Sequence, residues 1–224
     1  MAPQPHKGAS PHWEQLWSGG LGKGTSFDVG GVSAALSSEL SRVPAPPPGS
    51  VALVPGCGRA YDALALAAHG FDRVVAVDVA PSAVAAARAE LGGDPLGSRI
   101  DVVRGDFFEL PESGQKYDFI WDCTFLCALD PSTRERWAET HKALLAPGGT
   151  LVTCVFPICD KVGGPPYAIS VPLVTDLLGP AGLRAARTHE CAPSERHSPG
   201  GIGREDLGAP RTTLVAWQHV AAAP

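Results

Sequence analysis

Between Val51 and Phe156 the sequence switches back and forth between two hydrophobic periods. Val51-Ala52-Leu53-Val54 and Val74 to Val77 are continuous short apolar runs, the pattern of strands covered on both faces. Between them Tyr61, Leu64, Ala65 and Ala68 recur at helical spacing. Pro81 opens a further helix, running to about Leu91, at the one turn where a missing N–H costs nothing. Arg99 to Arg104 and Tyr117 to Trp121 read as a third and a fourth strand, the latter closing on Asp122. Asp130-Pro131 caps a helix with Trp137, His141 and Leu144 on one face and Gly148-Gly149 as its stop. Leu151 to Phe156 is the fifth strand; a short helix over Pro172 to Leu178 and two late strands, Leu183–His189 and Thr212–His219, follow. The expected fold is α/β: a doubly wound, Rossmann-like, seven-stranded and mostly parallel sheet.

Upstream, Trp13 and Trp17 stand four apart on a short helix, Gly19 to Ser26 reads as flexible, and Val32, Ala35, Leu36 and Leu40 mark a second helix ended by Pro44 to Gly49. Residues 1–12 are expected to be a mobile tail and 13–224 a single domain. The 224 residues suit one such domain better than two. A formal net charge of −5, with no Lys/Arg cluster, argues against general nucleic-acid binding. No apolar stretch reaches bilayer length and the start lacks a signal-like segment, so a cytoplasmic location, without membrane attachment, is expected. Six cysteines without a CxxC pair, and histidines at no metal-like spacing, point to reduced thiols and to no metal.

In a parallel sheet the ligand lies at the carboxyl ends of the strands. The first ends in Val54-Pro55-Gly56-Cys57-Gly58-Arg59-Ala60-Tyr61. Gly56 and Gly58 either let the backbone approach a ligand or simply make a tight turn. Tyr61 stands where a dinucleotide fingerprint needs its third glycine, which favours an adenosine with a carboxylate-bearing tail over a dinucleotide. Asp78, ending the second strand, either accepts both ribose hydroxyls or caps the Pro81 helix. At the third strand end Asp106 and Phe107 suit an adenine edge and face, or a turn and the core. Asp122 heads a nearly apolar loop, Cys123 to Leu129, and is expected to face the centre of the cleft.

These pieces, with Trp13-Glu14-x-x-Trp17, Asp62 and above all Phe156-Pro157-Ile158-Cys159-Asp160-Lys161-Val162-Gly163-Gly164-Pro165-Pro166-Tyr167, resemble the thiopurine S-methyltransferase family of class I S-adenosylmethionine-dependent methyltransferases. Within it the chain looks most like the plant-type thiol, thiocyanate and halide methyltransferases. The resemblance implies S-adenosyl-L-methionine as cofactor, leaving as S-adenosyl-L-homocysteine. It implies that residues 13–43 cap the cofactor, with Trp13, Trp17 and Phe27 lining it; family members often carry Trp in place of Phe27. Gly56 and Gly58 would lie against the methionine part, Asp78 on the ribose, Asp106 and Phe107 on the adenine, and Cys123, usually Tyr in that branch, beside the sulfonium. Asp122, Asp160 and Tyr167 are the positioning candidates on the acceptor side, and Trp13, Trp17 and the Pro157–Tyr167 loop would exclude water as a lid. The expected reaction is in-line transfer to a small soft nucleophile (a thiol, thiocyanate, bisulfide or halide ion) by a monomer. A thiopurine-type aromatic thiol, an NAD-dependent oxidation and a non-catalytic cofactor-holding role are the other readings.

Overall fold

The computed structural model describes residues 11–197 and 210–220. Seven strands form one sheet in the order β3-β2-β1-β4-β5-β7-β6. They are β1 (Val51–Pro55), β2 (Arg73–Asp78), β3 (Ile100–Arg104), β4 (Tyr117–Cys123), β5 (Leu145–Ile158), β6 (Leu183–Glu190) and β7 (Arg211–His219). The first five pair in parallel, and β7 enters antiparallel between β5 and β6. The helices are α1 (Pro11–Ser18), α2 (Ala34–Leu40), α3 (Tyr61–His69), α4 (Pro81–Leu91), α5 (Arg134–Leu144) and α6 (Val171–Leu178).

Strand side chains alternate between two cores, as a two-residue period requires. Ala52, Val54, Val74, Ala76, Phe119 and Trp121 face the core containing α2 and α3. Leu53, Val75, Val77, Ile120, Leu151 and Trp217 face the one built on α5 and α6. Both faces are covered, so the central strands carry almost no polar residue. The strand order turns between β1 and β4, which places the cleft at their carboxyl ends.

Four sequence expectations change. Pro11 and His12, assigned to the tail, begin α1; residues 1–10 lie outside the described residues. Gly148-Gly149 does not stop α5, which ends at Leu144; both glycines lie within β5 beside a shift of register against Tyr117 and Phe119. A Cβ on Gly149 would stand 3.0 Å from the Tyr117 carbonyl oxygen, so glycine permits that close approach. Gly19 to Ser26 is also held in place: the Asp28 Oδ1 atom accepts from the N–H groups of Gly24 at 3.0 Å and Gly30 at 2.7 Å.

Asp122 is the largest departure. Its carboxylate turns into the core between β4 and α5 and is 2% exposed. Oδ2 accepts from the Trp137 indole at 2.7 Å and meets His141 Nε2 at 2.9 Å, and Oδ1 accepts from the Leu126 N–H at 3.2 Å. Trp137 and His141 are fully buried, so the spacing that places them on one face of α5 serves to meet this carboxylate. Asp122 thus fixes the end of β4 to α5 and is not directed at the cleft. Removing it strands an indole N–H, an imidazole and a backbone N–H, each an unsatisfied group worth about 1–3 kcal/mol. Asp122→Ala should destabilise the protein by about 3–5 kcal/mol in urea denaturation, with Asp122→Asn costing less. A loss below about 1 kcal/mol would show that the tie is weak.

Candidate active site

Each strand end contributes one wall of the cleft. After β1 the chain passes through Gly56 at φ +59°, Gly58 at +52° and Ala60 at +62° before α3 begins. Left-handed backbone of this kind is what glycine supplies without strain. Rings close on both glycines: a Cβ on Gly56 would stand 2.7 Å from Phe125, and one on Gly58 3.2 Å from Trp17.

Asp78 holds this loop. Its Oδ2 accepts from the Gly58 N–H at 3.0 Å and its Oδ1 from the Ala80 N–H at 3.0 Å. Burial pushes its carboxyl above the ordinary range while these backbone bonds pull the other way. Both sequence readings therefore apply: the side chain orders the turn before α4, and it also lines the cleft. A carboxylate offers about four acceptor sites, so two bonds leave capacity for ligand hydroxyls. Asp106 lines the cleft too, while accepting from the Phe108 N–H at 2.9 Å as the cap of the short 3-10 helix Phe107–Ser113. Phe107 is likewise both core and wall, with its ring edge-on to Phe125 at 5.0 Å.

The N-terminal segment covers the cleft. Glu14 on α1 accepts from the Ser82 hydroxyl at 2.6 Å and its N–H at 3.0 Å, docking α1 on the start of α4. Those bonds draw the Glu14 carboxyl below its ordinary value. Trp13 and Trp17 stand edge-on to Phe27 at 5.7 and 5.9 Å. Arg59, inside the glycine loop, donates to Asp28 Oδ2 at 2.9 Å and to the Leu21 carbonyl at 2.7 Å, and its guanidinium lies 5.6 Å from the Trp17 ring centre. Tyr61 donates to Asp28 Oδ1 at 3.4 Å, so a side chain tied to the cap fills the place a dinucleotide's third glycine would leave open. Asp62 accepts from the Ser33 N–H at 2.8 Å and from the Trp121 indole at 2.7 Å, which fixes the segment entering α2 at the cleft.

The remaining wall is the segment after β4 with the end of β5. Cys123, Phe125, Cys127, Phe156, Pro165 and Pro166 line it. A hydrogen bond with Cys154 and burial push the Cys123 thiol well up, and burial does the same to Cys127. His197 lies here, 6% exposed, with Nδ1 3.3 Å from Ser33 Oγ and 3.6 Å from Cys123 Sγ. It is 74 residues from Cys123 and 164 from Ser33 in sequence, so no local pattern reveals it.

The three positioning candidates fall outside this wall. Asp122 is turned into the core, and Asp160 is exposed beyond β5. Tyr167 sits behind the two prolines, its N–H donating to the Cys127 carbonyl at 2.7 Å and its ring 6.0 Å from the Arg134 guanidinium. Trp13, Trp17, Phe27, Gly56, Gly58, Asp78, Asp106, Phe107 and Cys123 all line a single cleft of about 400 Å³. A glycine loop held by an acidic residue with spare acceptor capacity, under a roof of three aromatic rings, fits an adenosyl group with a charged tail. The histidines are less scattered than their spacing suggests. His189 Nε2 lies 2.9 Å from Glu195, near Cys191, and the carboxyl of Glu195 is drawn down to about 2 by His189, the Ala192 N–H, Ser38 and Arg42.

Comparison with known proteins places the chain in a family. The family model for thiopurine S-methyltransferase matches residues 9–202. Probable thiol methyltransferase 2 of Arabidopsis thaliana is 38% identical over 178 residues, covering 79% of this chain and 75% of that protein. Thiocyanate methyltransferase 1 of the same plant is 35% identical over 197 residues, 88% of this chain and 82% of that one. Thiopurine S-methyltransferase of Vibrio vulnificus is 28% identical and covers 83% of this chain and 87% of its own length. Among solved structures, the glycopeptide N-methyltransferase MtfA in complex with S-adenosyl-L-methionine shares the fold, with a TM-score of 0.63 at 16% identity, over 84% of this chain and 95% of that one. The chain belongs to the thiopurine S-methyltransferase family, and is an S-adenosylmethionine-dependent methyltransferase.

Proposed function

We propose that this enzyme methylates a small soft nucleophile: a thiol, bisulfide, thiocyanate or a halide ion. The observation that carries this reading is the acceptor wall. Among the described residues it consists of two thiols, two rings and two prolines, with Thr124 and His197 as polar members and no Lys or Arg between them. A cleft of about 400 Å³ stands near the low end of the range for ligand sites, about 300–1,000 Å³. Soft anions give up water at modest cost, and an apolar wall replaces their hydration with polarisable contacts.

S-adenosylmethionine, when bound, supplies a methyl carbon already activated on a sulfonium. The chain's work is therefore to position and to dry. Asp78 would take the ribose hydroxyls, Asp106 and the Phe107 backbone the adenine, and Gly56 and Gly58 the methionine part. Trp13, Trp17 and Phe27 would shield the adenosyl group, with Pro165 and Pro166 closing the acceptor side. Tyr167 would act only indirectly, by placing those prolines through its bond to Cys127. Holding two reactants in line can supply about 7–11 kcal/mol of the barrier. The chain would work in the cytoplasm as a monomer on small acceptors; its free cysteines and its net charge of −5 support that reading. No helix among the described residues is long and apolar enough to cross a membrane.

With methyl-labelled cofactor and a panel of iodide, thiocyanate, bisulfide, thiophenol and a thiopurine, kcat/KM should be at least about tenfold higher for the small acceptors than for the thiopurine, a difference of about 1.4 kcal/mol. Turnover confined to the thiopurine, or absent throughout, would overturn the reading. Trp17→Ala should weaken S-adenosylhomocysteine binding by about tenfold or more in calorimetry, since it removes a buried ring from the cofactor's roof. An unchanged Kd would place the cofactor elsewhere.

A further inference from the structure

His197 is the imidazole on the acceptor wall, and the reading above gives it no role. Its ring packs edge-on against Phe156 at 4.9 Å between centres. Nε2 is buried and has no hydrogen-bond partner among the described residues. Nδ1 faces Ser33 Oγ and Cys123 Sγ, both of which line the cleft. A buried imidazole costs stability when one nitrogen goes unpaired.

We propose that His197 is a catalytic residue of the thiol reaction, its Nδ1 taking the proton of a neutral thiol acceptor. The inference rests on the small soft acceptor reading above and names the residue which that reading lacks. A thiol with cysteine-like acidity is only a few per cent thiolate at pH 7, and the thiolate is the nucleophile. As the acceptor's S–H bond breaks, its proton passes to Nδ1 and the freed pair on sulfur forms the new S–CH3 bond. The bond from that methyl to the sulfonium breaks, and its pair stays on the departing thioether sulfur. The imidazolium then returns the proton to water as product leaves.

The surroundings fit this division of labour. Ser33, whose N–H is fixed by Asp62, lies 3.3 Å from Nδ1 at the edge of the cleft, a long contact that the acceptor's S–H displaces before Nδ1 takes its proton. Cys123 stays protonated, paired with Cys154 behind it, so it does not compete as a nucleophile for the methyl group. On the segment carrying His197, Glu195 is engaged by His189, Ser38 and Arg42, and Arg196 donates to the Cys191 carbonyl. Of these ionisable neighbours (Cys123, Cys154, Asp62, Glu195 and Arg196), all among the described residues, none bonds to Nε2, and only Cys123 meets the ring at Nδ1.

Iodide and thiocyanate carry no proton to remove, which separates a base from a merely structural residue. His197→Asn keeps a polar atom near the Nδ1 position but cannot accept a proton. At pH 7 its ratio of kcat/KM for an aliphatic thiol over kcat/KM for iodide should fall by about tenfold to a hundredfold from the wild-type ratio. The ratio should recover as pH rises past the thiol's own ionisation, where thiolate comes from solution. S-adenosylhomocysteine binding by calorimetry reports folding of the cofactor site in the same samples, and Ser33→Ala, which leaves the imidazole but not the hydroxyl beside it, should lower the same ratio less. Equal loss for thiol and iodide at every pH would assign His197 a structural role and overturn the proposal. Wild-type turnover of halides but not thiols would also overturn it. A wild-type enzyme that methylates nothing on the panel would instead remove the underlying reading.

Discussion

β1 and β4 lie side by side in parallel, yet the segments that follow them leave towards opposite faces of the sheet. That divergence opens the gap into which backbone N–H groups and side chains from both strand ends project. Everything else in the site is a means of fixing those two ends. The first is held by Asp78, whose carboxylate spans the glycine loop and the entrance to α4. The second is held by Asp122, which locks the end of β4 to two rings of α5. Each buried carboxylate is bonded to donors that would otherwise be left unsatisfied, which is how a buried charge becomes tolerable.

The same economy explains the roof. A short helix such as α1 has little stability alone and needs docking. Glu14 fixes it to Ser82, while Arg59 and Asp28 bind the loop between α1 and α2 to the glycine turn. The residues that shape the floor of the cleft therefore also hold its cover. The Trp17 ring sits where a side chain on Gly58 would be, so roof and floor meet there.

How much of this was legible depended on sequence distance. Strand and helix positions were readable because each is a local period, and α4 was placed at Pro81 to Leu91 by one proline and a run of alanines. That Gly56, Gly58, Asp78, Asp106 and Phe107 line the cleft was readable because each follows or ends a strand, so position along the chain implies position in the cleft. The acceptor side was not. Asp122 also closes a strand, but its direction is set by Trp137 and His141, whose rings outcompete the cleft for its oxygens. Asp160 and Tyr167 lie in a motif whose two prolines, not its polar residues, reach the cavity. His197 arrives from beyond β6 and is brought to Cys123 by tertiary packing alone.

The central claim is geometric: a nucleoside held by Asp78 beneath Trp17, with its sulfur turned towards Cys123 and His197. A crystal structure with S-adenosylhomocysteine tests it most directly. The account predicts ribose hydroxyls within hydrogen-bonding distance of Asp78, the adenine beside Asp106 and Phe107, and the thioether sulfur facing the cysteine-lined wall. A ribose bound away from Asp78, or a cleft that Phe125 keeps closed while the ligand binds elsewhere, would contradict it.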